Sequence, residues 1–143
     1  MRFEIPEQKT LVYEMTLPMR WGDMDAMGHI NNVSYFRYLE TCRIDWMIHQ
    51  NLPTNPHGDG MVIVNAFCNF YKELVYPGNI LMKMYTSDLG LKTCDTWCTL
   101  EREDQPGFIY AEGGATLIWV DFLQRKQNPF PLKLLNYCNN NNA

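Results

Sequence analysis

The chain has no apolar run near the ~18 consecutive residues that a membrane-spanning helix needs. Its first residues, Met1 to Glu7, lack the apolar core of a signal peptide, so the expected compartment is the cytoplasm. No basic block occurs either: 12 Lys and Arg stand against 16 Asp and Glu, for a net charge of −4. Phosphate backbones are held by clustered cations, so nucleic acid is not an expected partner. The cysteines, Cys42, Cys68, Cys94, Cys98 and Cys138, are odd in number and contain no C-x-x-C. That removes zinc-type spacing and a disulfide framework, and leaves buried free thiols as the expectation. His49 and His57 match no metal-ligand spacing, and no metal is expected. Internal repeats are absent as well.

What is there is ordinary for a globular chain. With 143 residues, 46% of them apolar and 20% charged, the expectation is a single domain over 1–143 with an adequate core. Residues 11–21 alternate. Leu11, Tyr13, Met15, Leu17, Met19 and Trp21 share one face, and Glu14, Thr16 and Arg20 the other, which predicts a half-buried strand. Residues 22–31 are irregular. Asn31 or Asn32 then caps a helix reaching about Gln50, roughly 27 Å long at ~1.5 Å per residue. Asn51 to Gly60 reads as a loop. Strands follow over 61–71, 80–89, 92–103 and 108–121, with turns at Tyr76–Asn79 and Asp104–Gly107. Gly113-Gly114 inside the last strand predicts a bulge or a close backbone approach. A short helix near 132–137 and a disordered tail over 138–143 complete the pattern. One strand, one long helix and an antiparallel run make an α+β layer fold, the helix buried against one curved sheet.

Two features carry chemistry. The run Arg20-Trp21-Gly22-Asp23-Met24-Asp25-Ala26-Met27-Gly28-His29-Ile30-Asn31-Asn32 sets carboxylates, a glycine, a histidine and asparagines where a strand gives way to a helix. A carboxylate can attack or deprotonate there, and the bare N–H groups of a helix start can hold an oxyanion. Asp23 suits a turn-forming role. His29 is placed to orient the loop, assist the carboxylate or bind substrate. The second feature is on the helix. Glu40 has Val33, Phe36, Ile44 and Met47 as its neighbours one and two turns away, and Arg43 is similarly surrounded. A buried charge needs a partner. Glu40 is therefore expected to be buried, either paired with Arg43 or serving a site.

The run R-W-G-D-M-D-A-M-G-H-I-N-N-V-S-Y-F-R-Y-L-E resembles the 4-hydroxybenzoyl-CoA thioesterase family of hotdog-fold acyl-CoA thioesterases, over a core of about residues 9–122. The resemblance implies an antiparallel sheet wrapped around a long central helix, pairing of subunits as a homodimer or homotetramer, and thioester hydrolysis with no cofactor beyond the coenzyme A of the substrate. It assigns Asp25 as the catalytic carboxylate and the backbone N–H of Asn32 as the carbonyl-polarising donor; the helix start itself offers the Val33 N–H as a second donor. His29 joins them as a candidate catalytic residue. Tyr35 and Glu40 match positions near the acyl pocket, and Lys92 and Thr93 a pair that contacts coenzyme A in the benzoyl branch.

This chain departs from the family in two places. Gly90 and Leu91 stand where the benzoyl enzyme is basic, which leaves Lys92 as the candidate contact to the carrier, with Lys72 and Arg102 as distant alternatives. The G-H-x-N-N-x-x-Y segment is closer to fatty acyl-CoA and acyl-carrier-protein thioesterases, yet Met27 stands where the plant acyl-carrier enzymes carry Asn, so a triad of that type is incomplete. Phe36, Met47, Val62, Val64 and Met84 are available as an uncharged pocket wall, which implies an apolar medium- or long-chain acyl group on coenzyme A or a carrier protein. The rival readings are a hotdog dehydratase or hydratase pairing His29 with Glu40 across subunits, and a non-catalytic acyl-thioester binding module.

Overall fold

An Asn side chain opens the one long helix and an Asn backbone closes it. The structure, a computed structural model, describes residues 3–52, 55–87 and 92–131. Helix α1 spans Asn32–His49. Asn31 is its N-cap: the side-chain oxygen accepts from the Val33 N–H at 3.0 Å. At the far end Asn51 adopts φ 54°, a left-handed conformation that Asn tolerates better than most residues. The Asn51 and Leu52 N–H groups donate back to the Ile48 and Met47 carbonyls at 3.0 and 3.1 Å. Leu52 is buried beside Met47, which completes the Schellman arrangement.

Strands β1 (Thr10–Pro18), β2 (Asp59–Phe70), β3 (Asn79–Thr86), β4 (Thr93–Arg102) and β5 (Ile109–Asp121) form an antiparallel sheet in the order β1-β3-β4-β5-β2. A short β6 (Lys126–Asn128), which the sequence pattern does not predict, pairs with Trp119–Asp121 of β5. The sheet and single helix are the architecture expected. The predicted helix near 132–137, the tail over 138–143, and Gly90 and Leu91 lie outside the described residues. No helix among the described residues is long and apolar enough to cross a membrane.

β1 corrects the expected face. A bulge between Leu11 and Tyr13 turns Val12 into the core and leaves Leu11 46% exposed. The strand also ends before Trp21, which sits 72% exposed in a 3-10 turn over Trp21–Asp23. Tyr13, Met15, Leu17 and Met19 keep the inward face.

The inner side of α1, Tyr35, Leu39, Cys42 and Trp46, is buried in full. It packs on Met82, Met84, Leu100, Leu117 and Trp119 from the sheet. Each such side chain contributes roughly 1.5–3 kcal/mol when taken from water. Cys42, Cys94 and Cys98 are buried free thiols and Cys68 is half-buried. The Cys98 thiol donates to the Thr99 carbonyl at 3.7 Å, and the neighbouring Cys42 thiol together with burial pushes its pKa up.

Gly113 and Gly114 mark a close approach; the β4–β5 and β2–β5 registers run through them without a shift. A methyl group on Gly113 would stand 2.5 Å from the Phe67 carbonyl oxygen and 2.7 Å from a Leu39 methyl. The contact with Leu39 sets how near α1 lies to the sheet. Gly113→Ala is expected to cost about 1–3 kcal/mol by overpacking, read as a lower thermal midpoint. An unchanged midpoint would show that the helix has room to move.

Candidate active site

Residues 24–30 fold into a miniature hairpin between β1 and α1. Met24 and Ile30 bridge, the Asp25 N–H donates to the His29 carbonyl at 2.7 Å, and the Gly28 N–H donates to the Asp25 carbonyl at 3.1 Å. Gly28 has φ +79°, the left-handed geometry that lets the chain return. Inside this turn Asp25 Oδ1 accepts from the Met27 N–H at 2.9 Å and from the His29 N–H at 3.4 Å. That is an Asx turn. Asp25 Oδ2 has no hydrogen-bond partner among the described residues.

Asp23 fixes the loop to the helix. Its carbonyl accepts from the Asn31 N–H at 2.8 Å, and its Oδ2 accepts from the Tyr38 hydroxyl at 2.7 Å. Burial and this bond raise the Tyr38 pKa, so the phenol stays protonated and keeps donating. A third tie reaches across to the segment after β2: the Ile30 N–H donates to the Leu74 carbonyl at 2.8 Å.

At the helix start the N-cap divides the free donors. The Asn31 side chain takes the Val33 N–H, and its carbonyl takes the Ser34 N–H at 2.9 Å. Asn32, the first helical residue, keeps a backbone N–H with no partner among the described residues. The expected second donor, Val33, is thus already engaged. The positive end of the helix dipole lies at the same point.

Asp25, His29, Asn32 and Tyr35 line one cleft of about 240 Å³, facing Phe70, Tyr71, Lys72 and Glu73. Tyr35 is buried, and its hydroxyl accepts from the Leu74 N–H at 3.1 Å while its ring meets Phe70 edge-on at 4.9 Å. Burial raises its pKa, outweighing the opposite pull of the Leu74 bond. Tyr35 therefore positions the opposing wall. Tyr71 hydrogen-bonds the Glu112 carboxylate, which holds the Tyr71 proton on. Lys72 Nζ lies over the Phe108 and Tyr110 rings at 5.4 and 5.6 Å. These wall residues are poorly signalled by spacing, because antiparallel pairing rather than proximity in the chain returns them to the helix start.

Other expected residues stand elsewhere. Glu40 is not buried: its side chain is 48% exposed and it pairs with Arg37 at 2.9 Å, not with Arg43. Its apolar neighbours Val33, Phe36 and Ile44 are themselves exposed in the single chain, so they cannot shield it. Arg43 is the buried charge instead, 9% exposed, and burial lowers its pKa. Glu40 and Met47 line a separate cavity, Met84 is a core residue, and Val64 is exposed. Lys92 and Thr93 are exposed at the start of β4, where Thr93 pairs with Ile118. The cleft lies near Phe70, which pairs with Ala111. Seven residues of β5 separate the two places, about 23 Å at ~3.3 Å per residue. Among the described residues no cluster of His, Cys, Asp and Glu is arranged to hold a metal.

A family model described as the thioesterase-like superfamily matches residues 19–137. The PA2801 protein of Pseudomonas aeruginosa, provisionally named a thioesterase, aligns with a TM-score of 0.83 and 30% identity, over 87% of this chain and 95% of that one. A Xanthomonas campestris protein, provisionally named an acyl-CoA thioesterase, aligns with a TM-score of 0.69 and 28% identity, over 76% of this chain and 92% of that one. The gentisyl-coenzyme A thioesterase BH1999 has the same fold, with a TM-score of 0.77 over 87% of this chain and 98% of that one at 19% identity.

The Tyr35–Leu74 bond can be tested directly. Tyr35→Phe leaves a buried N–H unpaired and is expected to lower stability by about 1–3 kcal/mol, measured by denaturant unfolding. A loss below the error of that measurement would mean that a rearranged segment supplies the Leu74 N–H with another acceptor.

Proposed function

Because the chain belongs to the thioesterase-like superfamily, we propose that it hydrolyses an acyl-CoA thioester, with Asp25 as general base or nucleophile and the Asn32 N–H as oxyanion donor. The observation that carries this reading is the pairing, in one cleft, of a carboxylate with a free oxygen and a helix start with a free N–H.

As base, Asp25 takes a proton from water while the water oxygen bonds to the thioester carbon. The carbonyl oxygen becomes an oxyanion held by the Asn32 N–H, and collapse of the intermediate breaks the carbon–sulfur bond. The thiolate leaves and is protonated. As nucleophile, Asp25 forms a mixed anhydride with the acyl group, and water then cleaves it. His29, in the same cleft, is the residue to orient the water or protonate the leaving thiolate. The wall residues exclude bulk water from one side, which strengthens a preorganised donor; one such donor contributes ~3–4 kcal/mol in comparable sites.

For the carrier, Lys72 replaces the expected Lys92 as the cation at the cleft within one chain. Arg102 is committed to structure, bonding Asp104 at 2.9 Å and the Val75 and Pro77 carbonyls at 2.8 Å. The acyl group is proposed to be medium- or long-chain, running along the exposed apolar side of α1 that begins at Val33 and Phe36. The same side, together with the outer edge of β2, which no described strand pairs and which bears exposed Ile63 and Val64, supports a homodimer or a tetramer built from it. The rival dehydratase would pair His29 with Glu40 across two subunits; within one chain the two line different cavities.

Asp25→Asn is expected to keep the melting temperature and to lower turnover by at least ~10², the scale of acid–base catalysis. Thiol release is the measurement, and near-normal turnover of the purified variant would remove Asp25 from the mechanism. In the same assay octanoyl- or palmitoyl-CoA should exceed 4-hydroxybenzoyl-CoA in kcat/KM. Release of a conjugated enoyl thioester without thiol would instead indicate dehydration. Light scattering at micromolar concentration should give at least a dimer mass.

A further inference from the structure

A second cavity of about 230 Å³ lies between the later half of α1 and strands β2 and β5. Its wall is built mainly from Met47, Met61, Ile63, Leu117 and Phe122, and it contains one cation, Arg43. Arg43 is nine-tenths buried, and no described residue forms a hydrogen bond or ion pair with its guanidinium. The acid on the same wall, Glu40, is held by Arg37. Glu40 acts on Arg43 as an opposite charge but makes no contact with it, so the guanidinium donors face a mainly apolar wall with no acceptor among the described residues.

The position of Arg43 relates it to the first cleft. At 100° per residue Asn32, Phe36, Arg43 and Met47 fall within about 60° of one another around α1. One side of the helix thus leads from the free Asn32 N–H to the second cavity. Eleven residues at ~1.5 Å separate Asn32 from Arg43, about 16 Å, and a helical side chain leans back toward the helix start. That is a span for a medium-length chain.

Resting on the thioesterase reading above, we propose that the second cavity receives the far end of the acyl group and that Arg43 pairs there with a carboxylate. The substrate class is then the mono-CoA thioester of a medium-length dicarboxylic acid. A hydrocarbon end would bury the guanidinium further and leave it unpaired. A hydroxyl would accept a hydrogen bond and bring no charge. A carboxylate supplies both the acceptor oxygens and the charge, and a guanidinium can hold it bidentately.

The test compares suberyl-CoA with octanoyl-CoA, chains of equal length that differ in the terminal group. The wild-type protein is expected to favour suberyl-CoA in kcat/KM by about tenfold or more, the scale of one ordinary charged contact. Arg43→Met should reverse the preference, and Arg43→Lys should retain part of it. Equal or reversed preference in the wild type overturns the proposal whether or not Arg43→Met folds. So does an Arg43→Met protein that loses its oligomeric state with the preference intact, because Arg43 then serves a second copy of the chain. Calorimetric binding of monomethyl suberate against methyl octanoate needs no turnover. Tighter binding of the carboxylate, lost in Arg43→Met, together with no thiol release from any acyl-CoA, would retain the Arg43 site and retire the thioesterase reading.

Discussion

The backbone of Leu74 bonds in both directions, and the cleft depends on it. Its carbonyl accepts from Ile30, at the end of the hairpin that carries Asp25 and His29. Its N–H donates to the hydroxyl of Tyr35, in the first turn of the helix. Leu74 itself is fully buried, so water cannot replace either bond. One residue therefore ties the hairpin, the helix start and the segment after β2 into a fixed triangle. In a small cleft this matters more than the strength of each bond, because chemistry at a carbonyl is sensitive to misplacement of about 1 Å.

Behind that triangle the helix must lie close to the sheet, and the glycine pair in β5 permits it. Phe67 and Leu39 occupy the space that side chains at Gly113 and Gly114 would need. The side of α1 that faces the sheet is closed by aromatic and sulfur-bearing residues. The neighbouring side, from Val33 to Ile44, stays open to whatever covers it. A helix that is apolar on more than its core stripe has a second surface to satisfy.

The strands and the helix were legible because each rests on a local period or a cap. Alternation placed β1, and Asn31 placed the start of α1. β6 was not legible: three residues, Lys126–Asn128, carry no pattern, and only pairing with β5 makes them a strand. The cleft was half legible. Asp25, His29, Asn32 and Tyr35 are near in sequence, and the structure brings them together. Lys72 and its neighbours come from another strand end, which no spacing rule reaches. Glu40 illustrates a different limit. Apolar neighbours on a helix predict burial only if those neighbours are themselves covered, and here Val33, Phe36 and Ile44 are not. The charge that α1 does bury, Arg43, has the same sequence signature, and only the side of α1 turned to the sheet separates the two.

The Asx turn at Asp25 divides one side chain between two duties. Oδ1 shapes the loop, and an amide oxygen could do that as well as a carboxylate, since both accept from the Met27 N–H. The negative charge is not needed for the shape. If Asp25 acts as proposed, architecture and reactivity are stored on the same residue but in different atoms. A hydrolase and a silent acyl receptor would then stand a single amide apart on this scaffold, and a lineage could cross between them without redrawing its outline.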